Sequence, residues 1–283
     1  MGAPSEKLVI VNADDFGFSA GITEGILRAH REGIVTSTTI TANMPYAIHA
    51  VERLRDAPGL GVGVHLNVAQ GPVLSKKGAP LAGKDGIMRW TPLRLIQAYL
   101  LYPQLLAAIE GECEAQIRWT LDHGIRPTHL DSHRHLHAFS PIFMRVVKLA
   151  KRYDIPFIRW PYEALSGSGW PAAGLGVRCL GWWMNRFCDL NEQIVESVRA
   201  TSGTWGIIHT GKIDADWLAR AAQRVPAGIT EIMTHPGLAD DMDRKITRLR
   251  MSRRLEMEAL CEARVKQAFT DNGVERIHYG NLR

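Results

Sequence analysis

The sequence predicts an α/β fold, a single-domain and irregular β/α barrel with parallel strands, and three observations lead to this prediction. Short apolar runs alternate with longer amphipathic segments along most of the 283 residues. Strands separated by helices of this length are typical of right-handed β-α-β units, which form a parallel sheet. Seven or eight such units in a chain of this length fit a barrel better than an open doubly wound sheet.

The predicted strands share an apolar, often β-branched centre and a polar or turn-forming end. The first covers 7–17, KLVIVNADDFG, and ends on polar residues. Ser19 can cap the helix that follows, and Gly33 ends that helix. The remaining predicted strands are 35–44, 60–68, 128–133, 156–161, 206–211, 228–236 and 275–280.

Amphipathic segments between these runs predict the other helices. They cover 46–56, 103–123, 140–154, 213–223 and a basic segment at 248–271. No linker rich in proline and serine interrupts the series, so we predict one domain over residues 1–283. Two irregular segments, at about 69–95 and 163–188, are expected to be long loops over the active-site face of the barrel.

Composition excludes several classes of protein. A hydrophobic fraction of 46% and a charged fraction of 22% exclude an intrinsically disordered chain. The net charge of +5 comes without a zinc-finger spacing or an aromatic RNA-binding motif, so we expect no nucleic-acid partner. The four cysteines form no C-x-x-C pair, and the first residues lack the apolar stretch of a secretory signal. These features together predict a cytoplasmic protein.

Histidine is the most informative residue type. Four of the eleven histidines fall within nine residues: His129, His133, His135 and His137. Alternate positions share one face of a strand, and positions four apart share one face of a helical turn, so either conformation brings imidazoles together. Neutral imidazoles bind Zn²⁺ and other borderline divalent ions. The spacing therefore predicts a metal site in which some histidines bind the ion and others orient the ligands.

Ionisable residues also stand at the ends of three other predicted strands. Asp14 and Asp15 end the first strand, His65 ends the third, and His235 follows a late one. Because the carboxyl ends of parallel strands meet on one face, these side chains can converge with the histidine-rich segment. Paired carboxylates can divide the work, one binding a cation and the other acting as a base. His235, followed by a Pro-Gly turn, can serve as a general acid or as a hydrogen-bond donor to the transition state.

Taken in order, these motifs resemble the YdjC-like carbohydrate deacetylase family, which includes chitooligosaccharide deacetylases and hopanoid-associated deacetylases. The resemblance extends from about residue 7 to 281 and rests on VNADDFG with GIVTSTT, GVHLN, THLDSHRHLH and THPG. It implies a β/α barrel that removes an acetyl group from an N-acetylated sugar with a divalent metal ion. The sugar is an amino-sugar oligosaccharide or a lipid-linked glycan.

The resemblance also implies roles for particular residues. Asp15, His65 and His133 correspond to the metal ligands, Asp14 to the catalytic base and His235 to its partner histidine. One aspartate and two histidines suit Mg²⁺ or Zn²⁺, and Mn²⁺ and Co²⁺ also remain open.

Five further residues are expected to bind substrate: Asp131, Arg134, His137, Arg159 and Tyr162. Arg134 stands where many relatives have a histidine, and a guanidinium cannot ligate a metal, so contact with substrate or a carboxylate is expected. The segment RWPYE, at 159–163, resembles the hopanoid-associated branch of the family, whereas HLDSH resembles the chitooligosaccharide branch.

Other functions remain open at this stage. One is a metal-dependent phosphoesterase or amidohydrolase on the same barrel, which would usually carry more carboxylates or a second set of ligands. Another is a non-catalytic basic binding protein. Two very apolar segments, 95–106 and 180–187, are expected to lie in the core, but they also suit a greasy substrate or a peripheral contact with the inner membrane surface. The expected partner is an acetylated sugar or glycolipid, and a homodimer stays open.

Overall fold

The computed structural model describes residues 6–164, 169, 175–195, 197–242 and 247–282. Apolar and β-branched runs form the strands, as their composition predicts. These strands are β1 (Lys7–Phe16), β2 (Ser37–Ile40), β3 (Gly61–Leu66), β4 (Gln70–Pro72), β5 (Ile87–Arg89), β6 (His129–Ser132), β7 (Phe157–Ile158), β8 (Thr204–Trp205), β9 (Gly228–Thr234) and β10 (Val274–Ile277).

Parallel pairing joins all of these strands except β4 and β5 into one curled sheet, in the order β7-β6-β3-β2-β1-β9-β8. Strand β1 pairs with β9, and because it is long it also pairs with β10 near its start and with β2 near its end. A parallel bridge between Phe157 and Arg199 links β7 to the segment that leads into β8. The sheet therefore curls round into an irregular barrel, and the predicted α/β barrel fold is confirmed.

Helices connect the strands on the outside of the sheet. They are α1 (Ala20–Arg31), α2 (Ala47–Arg53), α3 (Pro92–Leu101), α4 (Leu105–Asp122), α5 (Ser140–Arg152), α6 (Leu175–Val195), α7 (Ala215–Arg224), α8 (Arg250–Cys261) and α9 (Ala263–Asp271). The Ser19 side chain accepts a hydrogen bond of 3.1 Å from the backbone N–H of Ile22 and so caps α1, as predicted. Among the described residues, no helix has both the length and the apolar character that a membrane crossing requires.

Two predicted elements differ from the structure. The strand predicted at 206–211 is wrong, because β8 ends at Trp205 and the chain then turns. Gly206 has a φ of 100°, and the buried Glu163 carboxylate accepts hydrogen bonds from the backbone N–H groups of Gly206 and Ile208. The helix predicted at 248–271 is broken at Glu262, whose ψ of 132° is extended, so two shorter helices replace it.

The two segments predicted to be long loops also contain regular structure. The first, 69–95, holds the antiparallel pair β4–β5 and the start of α3. Glu112 of α4 is one of its links to the barrel, because its carboxylate accepts hydrogen bonds from the backbone of Leu74 and Ser75. In the second, 163–188, helix α6 begins at residue 175, because its apolar residues recur at helical spacing. Residues 165–168 and 170–174 of that prediction lie outside the described residues.

The core divides into two apolar clusters that lie against different parts of the sheet. One packs α1, α7, α8 and α9 around β1 and β9, and the other packs α4 and α5 around β3 and β6. Between them, the carboxyl ends of the central strands carry buried polar residues instead. This polar region contains Asn12, Asp14, Asp15, His65, Asp131, Arg159 and Glu231.

Candidate metal and catalytic site

Three ligand atoms converge at the carboxyl ends of β1, β3 and β6. Asp15, His65 and His133 each place one donor atom within 4.8 Å of the others. The Oδ1 atom of Asp15 lies 3.5 Å from Nε2 of His65 and 3.4 Å from Nδ1 of His133. The structure thus brings together the three residues that the family resemblance implies as metal ligands.

Asp15 is shaped by its backbone and by one arginine. Its φ of 74° is in the left-handed region, which is unfavourable for a non-glycine residue and is found at functional sites. Arg253 of α8 donates a hydrogen bond to Oδ2 of Asp15. The other oxygen, Oδ1, is buried and has no hydrogen-bond partner among the described residues. A buried carboxylate oxygen is costly without a partner, so Oδ1 is suited to a cation.

His65 is oriented by a carboxylate behind it. Nδ1 of His65 lies 2.7 Å from Oδ1 of Asp131, and Thr39 donates a hydrogen bond of 3.1 Å to the second oxygen of Asp131. This arrangement keeps a ring proton on Nδ1 and turns Nε2 towards Asp15. A carboxylate behind a histidine is the usual support of a metal-binding imidazole.

His133 is presented by a tight 3₁₀ turn over His133–Ala138. Within this turn, Arg134 and His135 have φ values of 57° and 53°, both left-handed. Ser132 holds the turn through two contacts with His137. Its hydroxyl accepts a hydrogen bond from the backbone N–H of His137 and lies 2.6 Å from Nδ1 of the His137 ring. His137 therefore supports the turn from behind, while His133 faces the other ligands.

Asp14 is fixed by hydrogen bonds to both of its oxygens. Arg159 donates to Oδ2 at 2.8 Å and to Oδ1 at 2.7 Å, and the side-chain amide of Asn12 donates to Oδ1 at 2.9 Å. Burial raises the pKa of Asp14, but the charge and hydrogen bonds of Arg159, with His65 nearby, outweigh it and lower the pKa below its ordinary value. Asp14 is therefore an ionised carboxylate in a fixed orientation.

Arg159 itself lies at the centre of a buried network. It donates to Glu231 at 2.9 Å through Nε and lies 2.7 Å from Asp131. The hydroxyl of Tyr279, near the end of the chain, donates to Glu231 at 2.8 Å. One guanidinium thus holds three carboxylates, and the last turn of the chain helps to hold the guanidinium.

The charges at this end of the barrel favour a divalent cation. The groups involved are four buried carboxyls and two guanidiniums: Asp14, Asp15, Asp131, Glu231, Arg159 and Arg253. When all are ionised, two negative charges are left unbalanced. Burial lowers the pKa of His65, but Asp131, Asp14 and Asp15 outweigh it and raise its pKa to about 9. A divalent ion would balance the two surplus negative charges, which otherwise favour a protonated His65.

His235 follows β9 and lies half-buried beside α8. Its backbone N–H donates a hydrogen bond of 2.7 Å to Glu256, whereas its ring atom Nδ1 is buried without a hydrogen-bond partner among the described residues. Burial lowers the pKa of His235 to about 4, despite the nearby charges of Asp14 and Asp15. The imidazole is therefore neutral near pH 7 and is available as a hydrogen-bond donor.

The five residues predicted to bind substrate have different positions. Asp131, His137 and Arg159 are fully buried and bonded to other groups of the protein, so they lie behind the site and orient its side chains, which corrects the prediction. Arg134 is exposed beside His133 and donates to the backbone oxygen of Trp90 at 3.3 Å. Tyr162 is half-buried and lines a cavity of about 540 Å³ together with residues of α6.

Several residues that shape the site were not predicted from the sequence: Asn12, Glu231, Arg253, Glu256 and Tyr279. Arg253 belongs to the basic segment predicted at 248–271. A signal for its burial was present, because Arg253 shares a helical face with Met257 and Leu260, which are also buried. Tyr279 gave no comparable signal, because its partner Glu231 lies 48 positions earlier in the chain.

Comparisons with known proteins give a consistent result. The model of the family described as YdjC-like protein matches residues 8–271. A carbohydrate deacetylase of Brevibacillus brevis is 31% identical over 275 residues, which cover 97% of this chain and 99% of the relative. A carbohydrate deacetylase of Oceanobacillus iheyensis is 30% identical over 260 residues, 92% of this chain and 98% of the relative.

A solved structure has a fold similar to that of this chain. The crystal structure of an Enterococcus faecalis protein, proposed to be a cellobiose-phosphate cleavage protein, superimposes on this chain with a TM-score of 0.78 at 27% identity. The superposition covers 98% of this chain and 99% of that protein.

Proposed function

Because the chain belongs to the YdjC-like protein family, we propose that it is a carbohydrate deacetylase that uses one divalent metal ion to remove the acetyl group of an N-acetylated sugar. The observation that carries the proposal is the convergence of Asp15, His65 and His133. Asp14 lies directly beside them, with Oδ2 4.0 Å from Nδ1 of His65. The substrate class is an amino-sugar oligosaccharide or a lipid-linked glycan.

The ion would be held by Oδ1 of Asp15, Nε2 of His65 and Nδ1 of His133. This donor set suits Zn²⁺ or Mg²⁺, and it also accepts Mn²⁺ or Co²⁺. When bound, such an ion polarises an acetyl carbonyl and makes a nearby water more acidic. Asp131 keeps the ring of His65 in the tautomer that offers Nε2.

Asp14 would act as the general base. Its Oδ2 accepts one hydrogen bond, from Arg159, and therefore keeps a lone pair for the proton of the attacking water. Arg159 also keeps Asp14 ionised, which is the state that accepts a proton. Because Arg159 binds both oxygens of Asp14, the carboxylate is held in the orientation in which Oδ2 faces His65.

His235 would donate a hydrogen bond from its ring. A neutral imidazole can stabilise the oxygen that becomes negative during attack, or it can supply a proton to the leaving nitrogen. The pKa of about 4 favours the first of these roles, because little imidazolium is present near neutral pH. Glu256 fixes the position of His235 through its backbone N–H.

The arrangement favours one metal ion over the two that many phosphoesterases use. A second group of acidic and imidazole ligands, Asp14 with His65 and Asp131, exists among the described residues. However, the guanidinium of Arg159 already lies 2.7 Å from each of the two aspartates in that group. The second position is therefore filled by a cationic side chain.

Acetate release from a panel of acetylated glycans and glycolipids tests the proposal. We expect release from at least one N-acetylated sugar, its loss with a chelator, and its recovery when Zn²⁺, Mg²⁺, Mn²⁺ or Co²⁺ is added back. O-acetylated members of the panel show whether the activity is confined to amides. The absence of acetate from every member, in protein shown by calorimetry to bind a metal, would contradict the proposal.

A further inference from the structure

Helix α3 exposes an unusual amount of apolar surface. Only one of its ten residues, Leu95, is buried. The exposed fractions are 65% for Leu93, 68% for Leu100 and 74% for Leu101. A surface helix normally turns polar residues to solvent and its apolar stripe to the core. The expectation that the segment 95–106 lies in the core is therefore wrong for most of α3.

Helix α6 carries a second exposed apolar stripe. Leu180, Trp183 and Leu190 are more than half exposed, and their spacing places them on one side of the helix. Phe187, half-buried, lies on the same side. Trp182 is exposed as well and packs edge-on against Trp183, with ring centroids 5.0 Å apart.

Aromatic contacts link the two helices beside the candidate site. Phe139, which directly follows the turn that carries His133, contacts Tyr99 of α3 and Phe187 of α6, with ring centroids 5.7 Å and 5.9 Å apart. We call the exposed apolar residues of these two helices, together with Tyr102 after α3, the apolar platform. It consists of Leu93, Leu100, Leu101, Tyr102, Leu180, Trp182, Trp183 and Leu190.

Positive charge borders the apolar platform. The segment from residue 74 to 94, which leads into α3, contains five exposed cationic side chains and one aspartate. The cationic side chains are Lys76, Lys77, Lys84, Arg89 and Arg94. The aspartate, Asp85, pairs with Arg89. On α6 itself, Arg178 and Arg186 are balanced by Asp189 and Glu192.

We propose that the apolar platform docks on the surface of an anionic lipid bilayer. Exposed leucine, tryptophan and tyrosine bordered by lysine and arginine are typical of segments that lie in a membrane interface. The basic segment is complementary to anionic headgroups, each lysine or arginine adding about fivefold to binding. In a symmetric dimer through the same surface, two copies of the basic segment would come close to each other and repel, so a bilayer fits the surface better.

Co-sedimentation with vesicles tests this docking surface. Wild type should bind vesicles of phosphatidylcholine mixed with phosphatidylglycerol, more weakly at high salt, and should bind phosphatidylcholine alone poorly. The double variant Leu101→Gln/Trp183→Gln should bind about tenfold more weakly or worse, because it lacks two apolar side chains that the bilayer would bury. Lys76→Gln/Lys84→Gln should lose about fivefold per charge, on anionic vesicles only.

A matched control and a second measurement make the test decisive. Met251→Gln/Leu255→Gln removes two side chains that are 67% and 56% exposed on α8, against 74% and 54% for Leu101 and Trp183, and it should bind like wild type. Circular dichroism and metal affinity should be unchanged in every variant. Equal binding of the platform and control variants would overturn the proposal. The proposal would also be overturned if the wild type bound neither vesicle type. A wild type that is a dimer in solution, and a monomer once Leu101→Gln/Trp183→Gln is introduced, would overturn it as well.

Discussion

Asp14 and Asp15 are neighbours in the chain, yet they belong to two regions of opposite character. The region around Arg159, with Asp14, Asp131 and Glu231, is saturated with hydrogen bonds. The region around Arg253 is not. Its buried atoms without a hydrogen-bond partner among the described residues are Oδ1 of Asp15, Nδ1 of His235, Nε and Nη1 of Arg253, and Oε2 of Glu256.

The difference shows how the barrel separates support from chemistry. Buried polar groups are nearly always paired, so a concentration of unpaired ones marks the place where something from solution binds. In the Arg159 region every side-chain oxygen of Asp14, Asp131 and Glu231 is bonded, and the described atoms without a partner there are Oδ1 of Asn12 and Nε2 of His129, which stacks on Tyr279. That region therefore acts as the scaffold that holds the proposed base and supports the proposed metal ligands. In the Arg253 region an ion, a water and the acetyl group would satisfy the open positions.

The largest expected effect comes from replacing each of the two aspartates separately by asparagine. Asp15→Asn should abolish both acetate release and high-affinity metal binding, because Oδ1 of Asp15 is the charged ligand. Asp14→Asn should retain metal affinity within a fewfold, since its oxygens face Arg159, while acetate release falls by about 10²–10⁴-fold. Calorimetric titration with Zn²⁺ and an acetate assay measure the two quantities separately. Equal loss of metal affinity in both variants would contradict the division between the regions.

Replacing the two arginines tests the same division through stability. Arg159→Met leaves three buried carboxylates without their shared partner, which should lower the free energy of unfolding by about 3–5 kcal/mol. Arg253→Met breaks one buried ion pair, with Asp15, and should cost less, because one carboxylate and not three loses its partner. Urea unfolding of the two variants in chelator gives the comparison. A larger loss for Arg253→Met would show that the Arg253 region, and not the Arg159 region, is the scaffold.

A smaller effect is expected where the scaffold supports a ligand. Asp131→Asn weakens the hold on Nδ1 of His65, and loss of such a supporting carboxylate typically lowers metal affinity by about 10–100-fold. Thr39→Val removes the hydrogen bond of 3.1 Å to the far oxygen of Asp131 and the contact of 3.3 Å with Nδ1 of His65, and it should change the affinity less because the carboxylate remains. Metal titration of both variants measures the effect. Unchanged affinity in Asp131→Asn would mean that His65 is oriented by packing alone.

The same contrast explains which parts of the site the sequence could predict. Asp15, His65 and His133 stand at strand ends, and the parallel strands bring such ends together regardless of their distance in the chain. Arg253 and Glu256 come from a helix, where burial depends on which face packs inward, and α8 turns that face towards α1 and the end of β9. The left-handed backbone of Arg134 and His135 comes from the tight turn that Ser132 holds. Neither feature has a local sequence pattern of its own.

The fold shows a similar limit. The alternation of strands and helices predicted the barrel correctly, because each unit is local. The predicted strand at 206–211 failed, because its apolar residues are buried in a turn that the carboxylate of Glu163, in the neighbouring segment after β7, holds through hydrogen bonds. Helix α3 was missed because its sequence, PLRLIQAYLL, is mostly apolar and so lacks the polar stripe by which an amphipathic helix is recognised. In the structure most of these apolar residues face solvent.

The smallest expected effect concerns Glu256, the carboxyl of the Arg253 region that carries an unpaired oxygen. Burial raises its pKa to about 8, although the backbone N–H of His235 and the charge of Arg253 oppose this. The pKa of Glu256 is about 8 in the folded protein and 4.5 ordinarily, so between these two pH values the folded protein binds more protons than the unfolded chain. The free energy of unfolding therefore falls as the pH rises from 4.5 to 8. Between pH 6 and 7 the wild type should therefore lose about 1 kcal/mol relative to Glu256→Gln, which stays neutral and keeps an oxygen for the His235 N–H. Urea unfolding of both proteins at the two pH values measures the difference, and parallel pH dependences would show that Glu256 is ionised in the folded protein and is therefore paired like the carboxylates around Arg159.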